Sequence, residues 1–325
     1  MTIFIDVKKL AFFGNCMKIL IEYFDCQKVS GLRGRRMYRI VAKEELNSSV
    51  TKIVVEAPLV ARKAEPGQFI ILRVDDDGER IPLTIADYDR EKGTVTIIFQ
   101  IVGATTNILN QKQVGESIKD FVGPLGKEAE TNGYKNVCIV GGGVGCAIAL
   151  PIAKKFHELG AKVTSIVGFR SKDIVILEED FKKCSDKLFV LTDDGTYGTK
   201  GNVTAPLKDC LDQGEKFDLV ITIGPLIMMK FVVLTCKPYG VPVTVSMNPI
   251  MIDGTGMCGG CRLTLLQDGE RVTKFACVDG PDFNGYEIDF DEAMSRGRMY
   301  QEQDRHANTG SCNLFSADKD NKSER

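Results

Sequence analysis

The stretch NVCIVGGGVGCAIALPIA, which begins at Asn136, constrains the fold more than any other part of the sequence. It joins a continuous apolar strand to a helix through a glycine-rich loop. Further apolar strands follow in KVTSIVG, KLFVLTD, FDLVITIG and VPVTVSM, and helical segments lie between them, around Glu178–Cys184, Val203–Leu211 and Leu226–Cys236. Strands that alternate with helices predict a parallel sheet covered on both faces.

A different pattern precedes this region. From Met37 to about Thr131, six short segments rich in Val, Ile and Phe are separated by the turn sequences EPG, DDDGE and DREKG. Six extended segments at this spacing predict a small antiparallel barrel. We therefore expect a chain of the β plus α/β class, with the barrel in residues 37–133 and the parallel-sheet domain in residues 134–248.

The chain changes character again after Met247. Residues 249–303 are expected to form a small domain, in which a Gly- and Cys-rich loop leads into two short strands joined at Asp268–Gly269 and then into a helix. Residues 304–325 are polar and aperiodic and are predicted to be a disordered tail. Residues 1–36 are interpreted as an extension that is not part of the fold, and a weak amphipathic helix that binds a membrane or a partner is the alternative.

The composition excludes several classes of protein. A net charge of −2 gives no basis for binding nucleic acid through its phosphates, and two histidines nearly exclude a zinc enzyme with several histidine ligands. No apolar segment favours a membrane span. The chain has eleven cysteines, an odd number, whereas a secreted disulfide scaffold would be shorter and would have an even number, so we expect a reducing cytoplasm with some cysteines bound to metal.

The loop VGGGVG, at Val140 to Gly145, is a candidate phosphate site. Glycines allow a tight turn and a close approach of the backbone to a pyrophosphate, and the N-terminus of the following helix favours negative charge. Cys146 stands where the last glycine of the full motif would be. A tight strand–helix turn without a ligand is the alternative.

Three barrel segments offer weaker signals. In RIPLT, Arg80 could bind a phosphate and Thr84 could lie beside a flavin ring, although an edge strand explains both residues equally well. The sequences VGATTN and VGPLGK place glycines and hydroxyl groups where the chain turns. A helix that starts near Thr105 could hold a second phosphate, or the segment could be a plain turn.

The stretch DGTGMCGGC, which begins at Asp253, predicts a metal site. Asp253, Cys258, Cys261 and Cys277 form the array Asp-x4-Cys-x2-Cys-x15-Cys. This spacing resembles that of plant-type [2Fe–2S] ligands, with Asp253 in the place of the first cysteine. Zinc bound by the same four residues is the competing site, and a loop without metal is the remaining alternative.

Taken together, these motifs resemble the ferredoxin–NADP reductase superfamily, in its branch with the electron-transfer subunits of dihydroorotate dehydrogenase. The sequences TDDGTYGTKGNVT, GFRSKD, ITIGPLIMMK and VDGPDF strengthen the resemblance. Asp253 and the tail DFDEAMSRGRMY make it strongest to the small subunits of NADH-dependent reduced ferredoxin:NADP oxidoreductases, whose relatives are also called sulfide dehydrogenase subunits. The resemblance covers about Met37 to Gln303.

The resemblance implies FAD in the barrel, NAD(H) on the parallel sheet and one [2Fe–2S] cluster on the cysteine loop. It also implies a larger flavo-iron–sulfur, glutamate-synthase-like partner subunit, through which ferredoxin reacts. Carried onto this sequence, the residues implied to contact FAD are Arg80, Pro82, Leu83 and Thr84, with Thr84 near flavin N5, and Gly103, Ala104 and Thr105 at its phosphates. Those implied to line the dinucleotide site are Gly142, Gly143, Gly145, Asp193, Asp194, Gly224 and Pro225.

The function implied is electron transfer in a bifurcating complex, with hydride exchanged between NAD(H) and FAD and single electrons passed through the cluster. No acid–base residue is required for this chemistry. An electron-transfer subunit of dihydroorotate dehydrogenase is a second possibility, and a zinc-stabilised nucleotide-binding module without a redox role is a third. The preference between NAD and NADP stays open, because Arg170 and Lys172 could accept a 2′-phosphate.

Overall fold

The computed structural model of the chain describes residues 38–298. The strands are β1 Tyr38–Asn47, β2 Val50–Glu56, β3 Phe69–Arg73, β4 Ile81–Asp89, β5 Thr94–Gln100, β6 Ser117–Ile118, β7 Asp120–Leu125, β8 Asn136–Gly142, β9 Lys162–Phe169, β10 Lys187–Thr192, β11 Thr199–Lys200, β12 Leu219–Ile223, β13 Val243–Ser246, β14 Arg262–Gln267, β15 Glu270–Phe275 and β16 Asp282–Asn284. The helices are α1 Pro58–Ala61, α2 Ala104–Gln111, α3 Gly145–Glu158, α4 Glu178–Lys183, α5 Thr204–Asp212, α6 Leu226–Cys236, α7 Ala276–Asp279 and α8 Phe290–Arg298, with single 3-10 turns at Lys172–Ile174 and Lys237–Tyr239.

The first seven strands form an antiparallel barrel. Their order is β6-β1-β2-β5-β4-β3-β7, so the two edge strands of the sheet, β6 and β7, are consecutive in the chain. Only Lys119 separates them, and this continuous segment therefore brings the two edges of the sheet together. The interior is filled by the inward-facing residues of the alternating pattern, including Ile53, Ile97 and Phe99. The predicted barrel is confirmed.

The remaining long strands form a second sheet, in the order β11-β10-β9-β8-β12-β13-β16. Neighbouring strands from β11 to β13 are parallel, and β16 adds an antiparallel edge. The chain order reverses between β8 and β12, which makes their carboxyl ends the switch point where doubly wound sheets bind ligands. The parallel-sheet domain is confirmed, and its three predicted helices form as α4, α5 and α6.

The C-terminal part consists of a loop and a hairpin that pack on the parallel-sheet domain. Strands β14 and β15 pair across the turn at Asp268–Gly269, as the sequence predicts. The strand β16 then returns to the edge of the parallel sheet, and α8 packs against α6. The predicted N-terminal extension and C-terminal tail lie outside the described residues.

Helix α3 joins the two sheets. It packs on β8, β9 and β12 and also contacts β4 of the barrel. The cluster of buried side chains around Phe156 accordingly includes Val50, Ala86 and Ile98 from the barrel. Between residues 38 and 298, no helix is long and apolar enough to cross a membrane.

Candidate cofactor cavity and cysteine loop

A cavity of about 1310 Å³ lies between the barrel and the carboxyl ends of the parallel strands. One wall comes from β4 and β5, and the other comes from the loops that follow β8, β9, β12 and β13. Its volume exceeds the 300–1,000 Å³ of an ordinary small-molecule pocket. The cavity is therefore large enough for two extended ligands that meet end to end.

The barrel wall is built from β4. Pro82, Leu83 and Thr84 line the cavity, and Phe69 on the neighbouring strand lies directly opposite Thr84 in the antiparallel register. Arg80, the other residue of this predicted set, is not part of the wall. Its guanidinium lies 4.0 Å from the carboxylate of Asp120 and its side chain is 45% exposed. Arg80 is thus close to the rim, where a phosphate group would lie in water.

The segment at the start of α2 contacts the cavity, but not through the three residues that the sequence predicts to contact a phosphate. Val102 and Thr106 line the cavity, whereas Gly103, Ala104 and Thr105 do not. The hydroxyl oxygen of Thr106 accepts the backbone N–H groups of Val102 and Gly103, both at 3.0 Å. These two donors are already satisfied, so a phosphate here would rely on the following N–H groups of the helix.

The glycine loop forms the opposite wall. Gly142, Gly143 and Gly145 line the cavity, and a Cβ at Gly145 would lie 2.5 Å from the carbonyl oxygen of Ile223. Gly145 therefore lets α3 start directly against β12, as a dinucleotide-binding turn requires. Cys146, which replaces the last glycine of the motif, is fully buried, and its burial raises the pKa of its thiol far above the ordinary range.

The switch point supplies the other half of this wall. Gly224 and Pro225 line the cavity at the end of β12, and a Cβ at Gly224 would lie 2.8 Å from Cε of Met228. Of the two aspartates predicted to line the dinucleotide site after β10, only the first lines the cavity. Asp193 lines the cavity, whereas Asp194 accepts hydrogen bonds from the hydroxyl and the backbone N–H of Thr196, and these lower its pKa.

Of the two cationic residues after β9, Arg170 and Lys172, only Arg170 lines the cavity. Arg170 lines the cavity together with Ser171. The ammonium group of Lys172 lies 5.8 Å from the centre of the Tyr197 ring, and its backbone N–H donates to Thr196. Arg170 is therefore the cation of this pair that can meet a dinucleotide, and Asp193 lines the same cavity.

Several lining residues were missed from the sequence. They are Phe69 and Gln100 in the barrel, Met228 and Phe231 in α6, Ser246 at the end of β13, and Met247, Asn248 and Met251 after that strand. The last four could have been found, because the carboxyl end of every parallel strand near the switch point is a candidate ligand contact. Phe69 follows from its pairing with Thr84, which the sequence alone does not give.

The cysteine loop brings part of the predicted ligand set together. The sulfur atoms of Cys261 and Cys277 lie 3.2 Å apart, and both residues are buried. The carboxylate of Asp253 accepts the backbone N–H groups of Thr255 at 2.8 Å and Cys258 at 2.7 Å. In the described part of the chain, no group of three or more His, Cys, Asp or Glu side chains has the arrangement for one metal ion.

The donor set nevertheless fits an iron–sulfur cluster. Cys258 is exposed, and the backbone N–H of Gly260 donates to its sulfur atom at 3.5 Å. Burial, and then the neighbouring thiol of Cys261, raise the pKa of Cys277 to about 12. A metal must compete with that proton, and a set of three sulfur ligands suits iron or zinc better than cations that prefer oxygen ligands.

The cysteine loop rests on the barrel. Gly254 lies so close to β3 and β7 that a Cβ there would be 2.6 Å from Cδ1 of Leu125 and 3.0 Å from Cδ1 of Ile71. Ile71 is two residues from Phe69, which lines the cavity. One strand of the barrel therefore contacts both the cavity and the loop that carries the predicted cluster ligands.

Known proteins resemble the chain over most of its length. Residues 248–289 match the sequence profile of the iron–sulfur cluster binding domain of dihydroorotate dehydrogenase B. A dihydroorotate dehydrogenase B electron transfer subunit homolog from Thermotoga maritima is 47% identical over 84% of this chain and 94% of that protein. The dihydroorotate dehydrogenase B electron transfer subunit of Streptococcus pneumoniae R6 is 35% identical over 75% of this chain and 94% of that protein.

A solved structure is similar over a comparable length. It is a chain from the structure of an NADH-dependent reduced ferredoxin-NADP oxidoreductase, which was determined to understand flavin-based electron bifurcation. This chain matches it with a TM-score of 0.78 and 45% identity, over 86% of its own length and 99% of the other chain.

The fold and the cavity define an oxidoreductase subunit of the ferredoxin–NADP reductase superfamily, linked to flavin, NAD(H) and an iron–sulfur cluster. Within that superfamily, the chain belongs to the family of the dihydroorotate dehydrogenase B electron transfer subunits and their homologues. As an electron-transfer subunit, it works with a larger partner subunit.

Proposed function

We propose that this chain is the small subunit of an electron-bifurcating, NADH-dependent reduced ferredoxin:NADP oxidoreductase. The observation that carries the proposal is the contact of Gly254 with Ile71 and Leu125, because it puts the cysteine loop against the strands beside the cavity. The 45% identity to a chain of such an oxidoreductase, over nearly all of that chain, supports the same conclusion.

In this proposal the barrel wall holds FAD. Pro82, Leu83 and Thr84 contact the ring system, with Thr84 near N5, and Arg80 meets a phosphate at the rim. The N–H groups of the first turn of α2, from Ala104 onwards, face the other phosphate. FAD supplies the conversion between the hydride of the nicotinamide and the single electrons that iron accepts.

The opposite wall holds NAD(H). Gly142, Gly143 and Gly145 allow the pyrophosphate to approach the backbone at the start of α3, where the helix dipole favours negative charge. Gly224 and Pro225 leave room for the nicotinamide, and Asp193 lies at the ribose. The carboxylate of Asp193 repels a 2′-phosphate, which favours NAD over NADP despite Arg170.

Asp253, Cys258, Cys261 and Cys277 are the proposed ligands of the [2Fe–2S] cluster. Asp253 already lies against the backbone of Cys258, and Cys261 already touches Cys277. Because the four side chains are not grouped around one metal position, cluster binding requires the loop to bring the two pairs together. The glycines between them give the loop the freedom to do so.

The larger partner is proposed to be a flavo-iron–sulfur subunit of the glutamate-synthase-like kind, through which ferredoxin reacts. A patch of exposed apolar side chains around the cysteine loop supports a contact there. Met257 is 89% exposed, and Ile250, Ile252 and Val278 are about half exposed. Exposed apolar residues that are grouped in this way are typical of protein interfaces.

A second candidate function has its own support. The match of residues 248–289 to the iron–sulfur domain of dihydroorotate dehydrogenase B, and the 35% identity to its electron transfer subunit, favour a role with that enzyme. Membership of this family leaves little support for a zinc-stabilised module without a redox role. The cytoplasmic location is also a proposal, and the eight free cysteines of the described residues support a reducing compartment.

Affinity purification of the tagged chain from its native cells, under exclusion of oxygen, tests the proposal. We expect a larger flavo-iron–sulfur protein to co-purify and the complex to reduce ferredoxin and NAD together at the expense of NADPH. Co-purification of a dihydroorotate dehydrogenase would instead establish the second candidate. A preparation with zinc and without flavin would contradict both.

A further inference from the structure

Asp282 is a buried carboxyl beside the cavity to which the sequence assigned no role. It lies on β16, directly opposite Ser246 of β13 in the antiparallel register. Ser246 lines the cavity, and so does Pro281, the residue before Asp282. Opposed residues of an antiparallel pair have their Cβ atoms about 4.5–5.5 Å apart, so the two side chains are neighbours on one face of the sheet.

This part of the wall belongs to the ring-binding end of the cavity. A Cβ at Gly126 would lie 2.8 Å from Cε1 of Phe69 and 3.0 Å from Cδ of Pro281. Phe69 is opposite Thr84, the residue proposed to lie near flavin N5. The backbone N–H of Met247 also donates to the carbonyl of Pro281 at 2.9 Å, which fixes the strand that carries Asp282 against the end of β13.

The carboxyl group of Asp282 is incompletely satisfied. Although the residue as a whole is only partly buried, its Oδ1 atom is buried and has no hydrogen-bond partner among residues 38–298. Native proteins rarely leave a buried polar atom without a partner, and a functional role is one explanation for such an atom. Within the described part of the chain, the polar neighbour that affects its ionisation is the hydroxyl of Ser246.

The surroundings of Asp282 raise the pKa of its carboxyl group towards neutral pH. Burial raises its pKa to about 6, and the hydroxyl of Ser246 opposes that rise. No charged group contributes to the shift. Strand β13 carries no charged side chain, and the charged residues of the segment between β7 and β8 that packs here, Lys127, Glu128 and Glu130, are exposed.

We propose that Asp282 is a positioning residue that controls, through Ser246, the hydrogen-bonding character of the cavity wall. As a carboxylate, Asp282 accepts a hydrogen bond from the Ser246 hydroxyl, and Ser246 then presents only lone pairs to the cavity. When protonated, Asp282 donates to Ser246, whose own O–H is then free to donate into the cavity. Binding of the nicotinamide and flavin rings is therefore coupled to a proton on this chain.

This inference rests on the proposed function and deepens it. It is tested on the flavin-containing protein, or the whole complex, by measuring the dissociation constant of NAD⁺ from its perturbation of the flavin absorption between pH 5 and pH 8. For the unmodified chain we expect a change of roughly threefold to tenfold centred near pH 6, the size of one net hydrogen bond.

Two variants remove the response in different ways. Asp282→Asn is neutral at every pH and is expected to keep the low-pH affinity throughout. Ser246→Ala keeps the carboxyl but removes the relay, and it provides the same test if Asp282→Asn does not fold. Asp218→Asn is the matched control, because Asp218 accepts backbone N–H groups of Lys135 and Asn136 at the amino end of β12, away from the cavity. It should retain the pH response.

The outcomes separate this inference from the proposed function. A chain without flavin, or a flavin spectrum that NAD⁺ does not change, would contradict the proposed function itself. An affinity that does not vary with pH in the unmodified chain would overturn only the role of Asp282. The role is also overturned if Asp282→Asn or Ser246→Ala keeps the pH response, even when its affinity falls uniformly.

Discussion

Gly254 lies against Ile71 across the boundary between the cysteine loop and the barrel, so closely that a Cβ at Gly254 would be 3.0 Å from Cδ1 of Ile71. The same strand presents Phe69 to the cofactor cavity. Electron transfer between flavin and cluster depends on short separation. This contact is therefore the structural basis of the proposed path within the chain.

Replacing Gly254 by alanine should push the loop away from the barrel. We expect Gly254→Ala to lower the free energy of unfolding by about 1–3 kcal/mol more than Gly160→Ala, the cost of overpacking. Reduction of the cluster after mixing with NADH should also slow, while reduction of the flavin keeps its rate. Rapid-mixing absorption spectroscopy and denaturant unfolding measure the two effects.

Gly160 provides the control. It has a positive φ of 80°, comparable to 75° at Gly254, so alanine is strained by a similar amount at both positions. A Cβ at Gly160 would meet no atom within 4 Å, and Gly160 is far along the chain from the proposed cluster ligands. Equal cluster reduction rates in the two variants would refute the importance of the contact.

Replacing Asp253 tests whether its carboxylate is a ligand. Asp253→Ala should lose the cluster or make it labile while the flavin is retained, and Asp253→Cys should restore iron with altered spectra. Iron and flavin per chain are measured after anaerobic purification. Since Asp253 also accepts two backbone N–H groups, loss of the loop structure alone must be distinguished from loss of a ligand.

Asp253→Asn makes that distinction. Its amide oxygen can still accept the backbone N–H groups of Thr255 and Cys258, but it no longer offers a carboxylate ligand. It should therefore lose iron as Asp253→Ala does, whereas full iron content in Asp253→Asn alone would mean that the carboxylate only maintains the loop. If Asp253→Ala also keeps its iron, the assignment of Asp253 as a ligand is wrong.

Much of the fold was predictable because it depends on local patterns. The turn residues between apolar segments predicted the barrel, and the alternation of strands and helices predicted the parallel sheet. The closure of the barrel by the single segment from β6 to β7 was not predictable, since it depends on pairing between strands that are distant in sequence.

The candidate site was predictable where a residue type follows from backbone geometry. Gly142 and Gly145 line the cavity where a Cβ would collide with Met228 and with the carbonyl oxygen of Ile223, and Gly143 has a positive φ of 56°. The side-chain positions of Arg80 and Lys172 could not be predicted from the sequence. Both side chains are long, and they contact Asp120 and the ring of Tyr197, which only the fold brings near.

A charge on the apolar patch should weaken association with the larger subunit. Ile250→Lys is expected to reduce the affinity by about tenfold or more, as for a buried interface residue. Leu159→Lys is the matched control, because Leu159 is 51% exposed, against 52% for Ile250, and lies at the end of α3 far along the chain from the loop. Calorimetric titration of the separated subunits measures both affinities, and similar values would argue against this docking face.

The raised pKa of Asp282 makes stability depend on pH. A carboxyl whose folded-state pKa lies near 6, above its unfolded value of 3.8, holds its proton more tightly in the folded protein. Its ionisation therefore costs stability as the pH rises from about 4 through 6, and the full cost is present above that range. No such cost is present below about pH 4.

Asp282→Asn removes this cost. We expect the variant to be more stable than the unmodified chain by about 1–3 kcal/mol at pH 8, and the difference to shrink towards pH 4. Thermal unfolding of both proteins at a series of pH values gives the comparison. A difference that grows towards acid pH would have the wrong sign for a carboxyl buried in this way.

The account depends most directly on FAD and an iron–sulfur cluster that exchange electrons within one chain. The decisive measurement is a titration of the anaerobically purified chain with NADH, followed by visible absorption and electron paramagnetic resonance. We predict one flavin and two irons per chain, with bleaching of the flavin and appearance of a reduced [2Fe–2S] signal in the same titration. A colourless protein, or a flavin that is reduced without any iron signal, would contradict it.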